Sequence, residues 1–223
     1  MSSHRVGITM RIDNPIGYDE PRDCLAQSWW DYLQATFSKT HWLALPNIGS
    51  NIQNYVKEWS VDSFIFTGGK DVGSSPKRDD TETILLEMAV NQKIPVLGVC
   101  RGMHMLNVFF GGAIIHDLTA ICGDSDAHVR KNHSVEIEKD TFRSLLKNNK
   151  LDVNSYHRNA VTKTTLAPTL KSFAFSQDGL IEGLFHPSLP ILGIQWHPER
   201  ENPAQDADRN LINTWLEKKG FIL

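Results

Sequence analysis

A lone cysteine, Cys100, sits within Gly98-Val99-Cys100-Arg101-Gly102, directly after the apolar run Ile94–Val99. Small residues on both sides suit a sharp strand-to-helix turn. A side chain on such a turn is presented at the carboxyl end of a sheet. It also lies near a helix N-terminus, whose dipole favours thiolate over thiol. Far downstream stands Gln195-Trp196-His197-Pro198-Glu199. A histidine with a carboxylate two positions on supplies what a cysteine nucleophile needs, a base and a group to orient it. Pro198 restricts the backbone of His197, and Glu199 can reach back to the imidazole. Taken singly, Cys100 also reads as a buried structural cysteine and His197 as a loop histidine with its hydrogen bond satisfied. Together they point to a Cys100–His197–Glu199 triad. Thr67-Gly68-Gly69, a plain turn by itself, offers unencumbered amides for an oxyanion beside the nucleophile, with the amide of Arg101 as second donor.

The elements that must hold these residues follow from pattern. Val6–Met10, Trp42–Leu45, Ser63–Phe66 and Ile94–Val99 read as short apolar strands. Cys24–Phe37, Ile52–Trp59, Thr81–Gln92 and a segment from Cys100 through Phe110 read as the helices between them, the last closed by Gly111-Gly112. This βαβα alternation predicts a parallel sheet with helices on both faces. The second half differs. Asn132–Ile137, Ser172–Ser176, Leu180–Phe185 and Ile191–Gln195 read as strands, with a hairpin turn at Gln177-Asp178-Gly179. Ala207–Lys219 reads as a last helix. The expected whole is one α/β domain over residues 1–223, with a small antiparallel extension.

The chain has 223 residues, 40% of them hydrophobic and 22% charged, with a formal charge of −3. That balance gives no electrostatic case for nucleic acid or an anionic membrane. No segment approaches the ~20 apolar residues that span a bilayer. The N-terminus lacks the apolar core of a signal peptide. The three cysteines, Cys24, Cys100 and Cys122, suggest a reducing compartment and no disulfide framework. The expected location is the cytoplasm.

These motifs carry a resemblance. Phe66-Thr67-Gly68-Gly69, Gly98-Val99-Cys100-Arg101-Gly102, Phe110-Gly111-Gly112, Asn154-Ser155-Tyr156-His157 and Gln195-Trp196-His197-Pro198-Glu199 run in the order of a class I glutamine amidotransferase domain. Within that group the chain most resembles the stand-alone γ-glutamyl hydrolase branch, peptidase family C26. The resemblance implies a flavodoxin-like sheet, Cys100 as nucleophile, His197 as general base and then acid, and Glu199 as orienter. It implies an oxyanion hole from the amides of Gly69 and Arg101, and a γ-glutamyl pocket lined by Gly68, Asn154, Ser155, Tyr156 and His157. The substrate it implies is a small γ-glutamyl conjugate, cleaved through a thioester to glutamate and an amine. The leaving group is γ-aminobutyrate, another small amine, or the nucleotide phosphoramidate released by a hydrolase of this type in capsule modification. Neither metal nor organic cofactor is needed, and the sequence shows no ligand quartet at zinc spacing. The expected state is a monomer or homodimer.

Two departures stand out. Glutamine-using relatives carry glutamine four positions past the cysteine, where it helps hold substrate; here that position is His104, which the resemblance makes a substrate-binding position. This argues against the alternative function, a glutaminase subunit feeding ammonia to a synthase partner. The Arg101 side chain reads either as a contact for a substrate carboxylate or as a helix-surface ion pair. The segment Lys70–Thr81 is short and polar, which predicts a more open pocket. Arg11, Tyr18, Arg22 and Trp29 form a cluster suited to the leaving-group half of the substrate, phosphate included; for at least one of Trp29 and Trp30, core packing of an amphipathic helix is the better reading. Asp124–His128 reads as a solvated loop.

Overall fold

The computed structural model describes residues 4–36 and 40–217. The chain runs β1 (Arg5–Thr9), β2 (Arg11–Asp13), β3 (Arg22–Cys24), α1 (Gln27–Thr36), β4 (His41–Leu45), α2 (Ile52–Glu58), β5 (Ser63–Phe66), α3 (Pro76–Gln92), β6 (Val96–Val99) and α4 (Arg101–Phe109). It continues through α5 (Thr119–Cys122), β7 (Val129–Ile137), α6 (Asp140–Leu146), β8 (Lys150–Tyr156), β9 (Lys171–Ser176), β10 (Ile181–Phe185), β11 (Ile191–Ile194) and α7 (Gln205–Glu217).

Nine strands make one sheet in the order β4-β1-β5-β6-β11-β10-β9-β7-β8. The first five are parallel. Numbered along the chain they are strands 2-1-3-4-5, the doubly wound flavodoxin-like order. The last four pair antiparallel, so the extension is larger than its small expected size. Alternation along the central strands separates two cores. Ile65, Leu97, Val99, Leu192 and Ile194 face α1 and α7. Phe64, Phe66, Val96 and Ile191 face α2, α3 and α4.

Several boundaries move, each for a local reason. α1 starts at Gln27 because Arg22–Cys24 pairs with Arg11–Asp13 as a separate two-stranded ribbon; Phe37 lies outside the described residues, as do Lys218 and Lys219 of the predicted last helix. α3 starts at Pro76, a residue preset for the first helical turn. Half of the stretch read as a Lys70–Thr81 loop is therefore helix, and Arg78 and Thr81 within it are buried. β8 escapes the pattern because two of its buried residues, Asn154 and Ser155, are polar. α5 and α6 are additional short helices. The β9–β10 hairpin turns where expected, with Gly179 at φ +78° and Ser176 N–H bonded to the Leu180 carbonyl at 3.0 Å. No helix among the described residues is long and apolar enough to cross a membrane.

Candidate active site

The carboxyl ends of β1, β5, β6 and β11 converge on Cys100. This residue sits between β6 and α4 at φ +54° and ψ −108°, a conformation an L-residue holds only when its surroundings force it. The forcing contacts are visible. Cys100 N–H donates to the Ile194 carbonyl of the neighbouring strand at 2.8 Å, and the Cys100 carbonyl accepts from His104 N–H at 3.2 Å to open α4. A Cβ at position 102 would run into the Phe66 carbonyl oxygen, so only glycine lets α4 sit this close to β5. The Arg101 N–H falls in the first turn of α4, where amides lack intrahelical acceptors.

His197 follows β11 and is buried to 2% exposure. Its Nδ1 lies 2.7 Å from Glu199 Oε1, which leaves Nε2 as the nitrogen for the thiol. Burial alone would lower the imidazole's pKa, but Glu199 and Cys100 outweigh it and raise it to about 9. Burial pushes the Cys100 thiol up, and the His197 charge more than offsets this, so its pKa falls below the ordinary thiol value. The pair therefore favours thiolate and imidazolium, the reactive state of a cysteine nucleophile.

The backbone turn facing this pair is held by a buried ion network. Arg78 donates to the Thr67 carbonyl at 2.7 Å, the Gly68 carbonyl at 3.1 Å and Glu82 Oε1 at 2.9 Å. Glu82 also accepts from Thr9 Oγ1 at 2.8 Å. Arg101 completes the network through ion pairs to Glu82 and Asp79. Its guanidinium, 2% exposed, is thus committed to two carboxylates in the interior and does not form a helix-surface pair. Arg78 and Glu82 escape the sequence reading because an Arg–Glu pair at i,i+4 ordinarily marks a solvated helix face.

Other expected contacts are also engaged internally. His104 Nε2 lies 2.7 Å from Gln195 Oε1, and burial drives its pKa down to about 3, so the ring is neutral. Asn154 binds the backbone of His197 and Glu201. Ser155 Oγ donates to the His128 carbonyl at 2.7 Å. His157 is buried, its Nδ1 2.9 Å from the Asn159 carbonyl oxygen. Burial lowers its pKa, but Glu182 outweighs this and the net shift is upward. Tyr156 alone of this segment is exposed, its ring edge-on to His197 at 5.7 Å and beneath the Arg200 guanidinium at 4.2 Å. Asp208 is a further buried group that sequence leaves unmarked. It accepts from Trp196 Nε1 at 2.8 Å and Asn202 Nδ2 at 2.5 Å, and burial lifts its pKa to about 7.

A cavity of about 870 Å³ opens beside Cys100 and His197. Gly68, Gly69, Arg11 and Trp29 line it, with Arg130, Lys131, Arg158 and Arg200. Tyr18 and Arg22 pair instead with each other and Glu20, away from this lining. Asp124 and Asp126 also face the cavity, whereas His128 is buried, against the solvated loop expected there. The fold also creates a ligand quartet that sequence spacing conceals, formed by His128, His133, His157 and Glu182.

Residues 6–199 match the family model described as peptidase C26. The chain belongs to the peptidase C26 family. It is a glutamine-amidotransferase-like hydrolase by that membership. It is 35% identical over 181 residues to protein NtpR of Enterococcus hirae, covering 71% of this chain and 75% of that one. It is 32% identical over 217 residues to the γ-glutamyl-CDP-amidate hydrolase of Campylobacter jejuni, covering 95% of this chain and 96% of the relative. A glutamine amidotransferase of Thermotoga maritima superposes with a TM-score of 0.62 at 15% identity, over 98% of this chain and 84% of the other, which establishes the shared fold.

Proposed function

We propose that this C26 hydrolase cleaves a γ-glutamyl amide through a thioester on Cys100, and that its leaving group is an anionic nucleotide phosphoramidate. The observation that carries the choice of leaving group is the cavity beside Cys100. Five cationic side chains, Arg11, Arg130, Lys131, Arg158 and Arg200, line it against three acidic ones, Asp124, Asp126 and Glu199. Arg158 pairs with Asp126 and Arg11 with Asp13, so the excess positive charge rests chiefly on Arg130, Lys131 and Arg200. Guanidinium groups suit phosphate oxygens, and a volume of about 870 Å³ exceeds what γ-aminobutyrate needs. The Campylobacter relative's activity, with coverage of nearly both chains, supports the same reading.

The thiolate of Cys100 attacks the δ-carbonyl carbon of the γ-glutamyl group. The resulting oxyanion is held by the backbone N–H groups of Gly69 and Arg101. His197, protonated, gives its proton to the leaving nitrogen as the C–N bond breaks, and the amine or phosphoramidate departs. Neutral His197 then takes a proton from water, whose oxygen attacks the thioester. Collapse frees glutamate and restores the Cys100 thiolate and the His197 imidazolium. Glu199 keeps the imidazole in the required orientation throughout.

The test is glutamate release from a panel of γ-glutamyl compounds: glutamine, γ-glutamyl-γ-aminobutyrate, γ-glutamyl dipeptides and γ-glutamyl nucleotide amidates. Fast release from a nucleotide amidate, lost in Cys100→Ala, is the expected result. Release from γ-glutamyl-γ-aminobutyrate alone would keep the hydrolase and discard the phosphoramidate. Release from glutamine alone, or only with an added partner protein, would indicate an amidotransferase subunit.

A further inference from the structure

His128, His133, His157 and Glu182 are scattered over more than fifty positions, yet one ligand atom from each lies within 4.8 Å of the others. β7 brings His133 and β10 brings Glu182, while His128 and His157 flank β7 and β8 and share a backbone bond, His157 N–H to the His128 carbonyl at 3.1 Å. The four side chains do not satisfy one another. His133 Nε2 is 3.7 Å from Glu182 Oε2, and His157 Nε2 is 3.6 Å from Glu182 Oε1. Both separations are too long for hydrogen bonds. They lie close to the edge, about 3.4 Å, of a tetrahedron of nitrogen and oxygen ligands around one zinc-sized ion.

The unused atoms are the ones such an ion would take. His128 Nδ1, His133 Nε2, His157 Nε2 and both carboxylate oxygens of Glu182 have no hydrogen-bond partner among the described residues. Glu182 is 0% exposed, and its carboxylate is faced only by the His133 and His157 rings, beyond hydrogen-bond reach, so its charge is incompletely compensated. The opposite ring nitrogens are already occupied. His157 Nδ1 faces the Asn159 carbonyl at 2.9 Å, and His128 Nε2 faces the Asp178 carboxylate at 3.1 Å. Each contact holds a proton on that nitrogen and turns the other lone pair inward, the carboxylate- or carbonyl-backed histidine typical of metal sites.

We propose that His128, His133, His157 and Glu182 bind one divalent transition-metal ion, with zinc the best match to three imidazoles and a carboxylate. Four protein ligands leave no open position, so the ion is structural. It fastens β10 to the β7–β8 hairpin that carries Asn154, and through it the loop of His197.

The test uses the full chain, stripped with a chelator and titrated with Co²⁺, then competed with Zn²⁺. One equivalent of Co²⁺ should give the visible bands of a tetrahedral site without a thiolate charge-transfer band, and Zn²⁺ should displace it. Binding should persist in Cys100→Ala and in Cys122→Ser, which removes the thiol of a neighbouring group formed by Cys122, His128 and Asp178. His133→Ala, at a partly exposed strand position, and the isosteric Glu182→Gln should each weaken binding at least about 100-fold. That exceeds the ~10–100-fold typical of losing only a ligand's hydrogen-bond partner, the effect expected of Asp178→Asn. Zn²⁺ should raise the melting temperature of the wild type and not of His133→Ala. Lack of stoichiometric uptake, loss of uptake in either cysteine variant, or an equal melting shift in His133→Ala would each overturn the proposal.

Discussion

The side-chain amide of Asn154 clasps the peptide groups on both sides of His197. Its Oδ1 accepts from the His197 N–H and its Nδ2 donates to the His197 carbonyl, each at 2.8 Å. A second bond from Nδ2 reaches the Glu201 carbonyl at 3.0 Å. The amide takes the place of an adjoining strand, and β8 thereby fixes the loop that aims the imidazole.

Asn154→Ala removes all three bonds and leaves buried backbone groups unpaired, at a cost of about 1–3 kcal/mol each where water cannot replace the amide. The expected result is a lower melting temperature and a fall in kcat, with KM changed much less, because the amide touches the catalytic loop and not the cavity. A rise in KM at constant kcat would place Asn154 in substrate binding instead. Steady-state kinetics with a calorimetric melt decide between the two.

Gly68 stands against the face of His197. A Cβ built there would lie 2.8 Å from His197 Cε1 and 3.7 Å from the Cys100 Cβ. The imidazole is the movable partner, so Gly68→Ala should swing it off the thiol with little loss of stability. A displacement near 1 Å costs on the order of 100-fold in rate. The measurement is kcat/KM beside a thermal melt. Retained activity would mean that the ring is not held at this position during turnover.

The parallel half of the sheet and the meeting of Cys100, His197 and Glu199 were legible because each rests on a short local signal: an apolar run, a permissive turn, or two residues at fixed spacing. Cys100, His197 and Glu199 sit at strand ends, where sequence neighbours remain spatial neighbours. The surroundings were less legible because tertiary pairing decides them. Arg101 reads as a substrate contact or a helix-surface ion pair until Glu82 and Asp79, from another helix, are packed against it in the interior. Asn154 and Ser155 mask the strand that carries them, since buried polar residues interrupt an apolar pattern. The quartet around Glu182 has no spacing signature at all; its members meet only when β7 and β10 join the sheet.

The ionisation of the pair predicts a bell-shaped pH dependence of kcat/KM, measurable from pH ~5 to ~10. Activity rises as Cys100 loses its proton, at a pH lowered from the ordinary thiol value by the His197 charge. It falls as His197 loses its proton near pH 9 and can no longer protonate the leaving nitrogen. Glu199 helps hold the imidazolium, so Glu199→Gln should move the alkaline limb to lower pH. An unmoved limb would show that some other group sets it.

Arg101 separates stability from binding most sharply. Its guanidinium is buried between Glu82 and Asp79, and Glu82 in turn carries Arg78, which holds the Thr67 and Gly68 carbonyls. Arg101→Met keeps an unbranched apolar stem but leaves Glu82 with one cation instead of two. Removing one partner of a buried ion pair typically costs about 3–5 kcal/mol. Urea unfolding should therefore show a loss of that order. Arg101→Lys should recover only part of it, because an ammonium cannot present the two-sided fork that reaches both carboxylates. Below the unfolding temperature, KM for the proposed γ-glutamyl substrate should change little in either variant, since the amide at position 101 and the cavity lining survive. A KM that rises many-fold while the unfolding curve stays in place would assign the guanidinium to the substrate, and the network around Glu82 would then need another explanation.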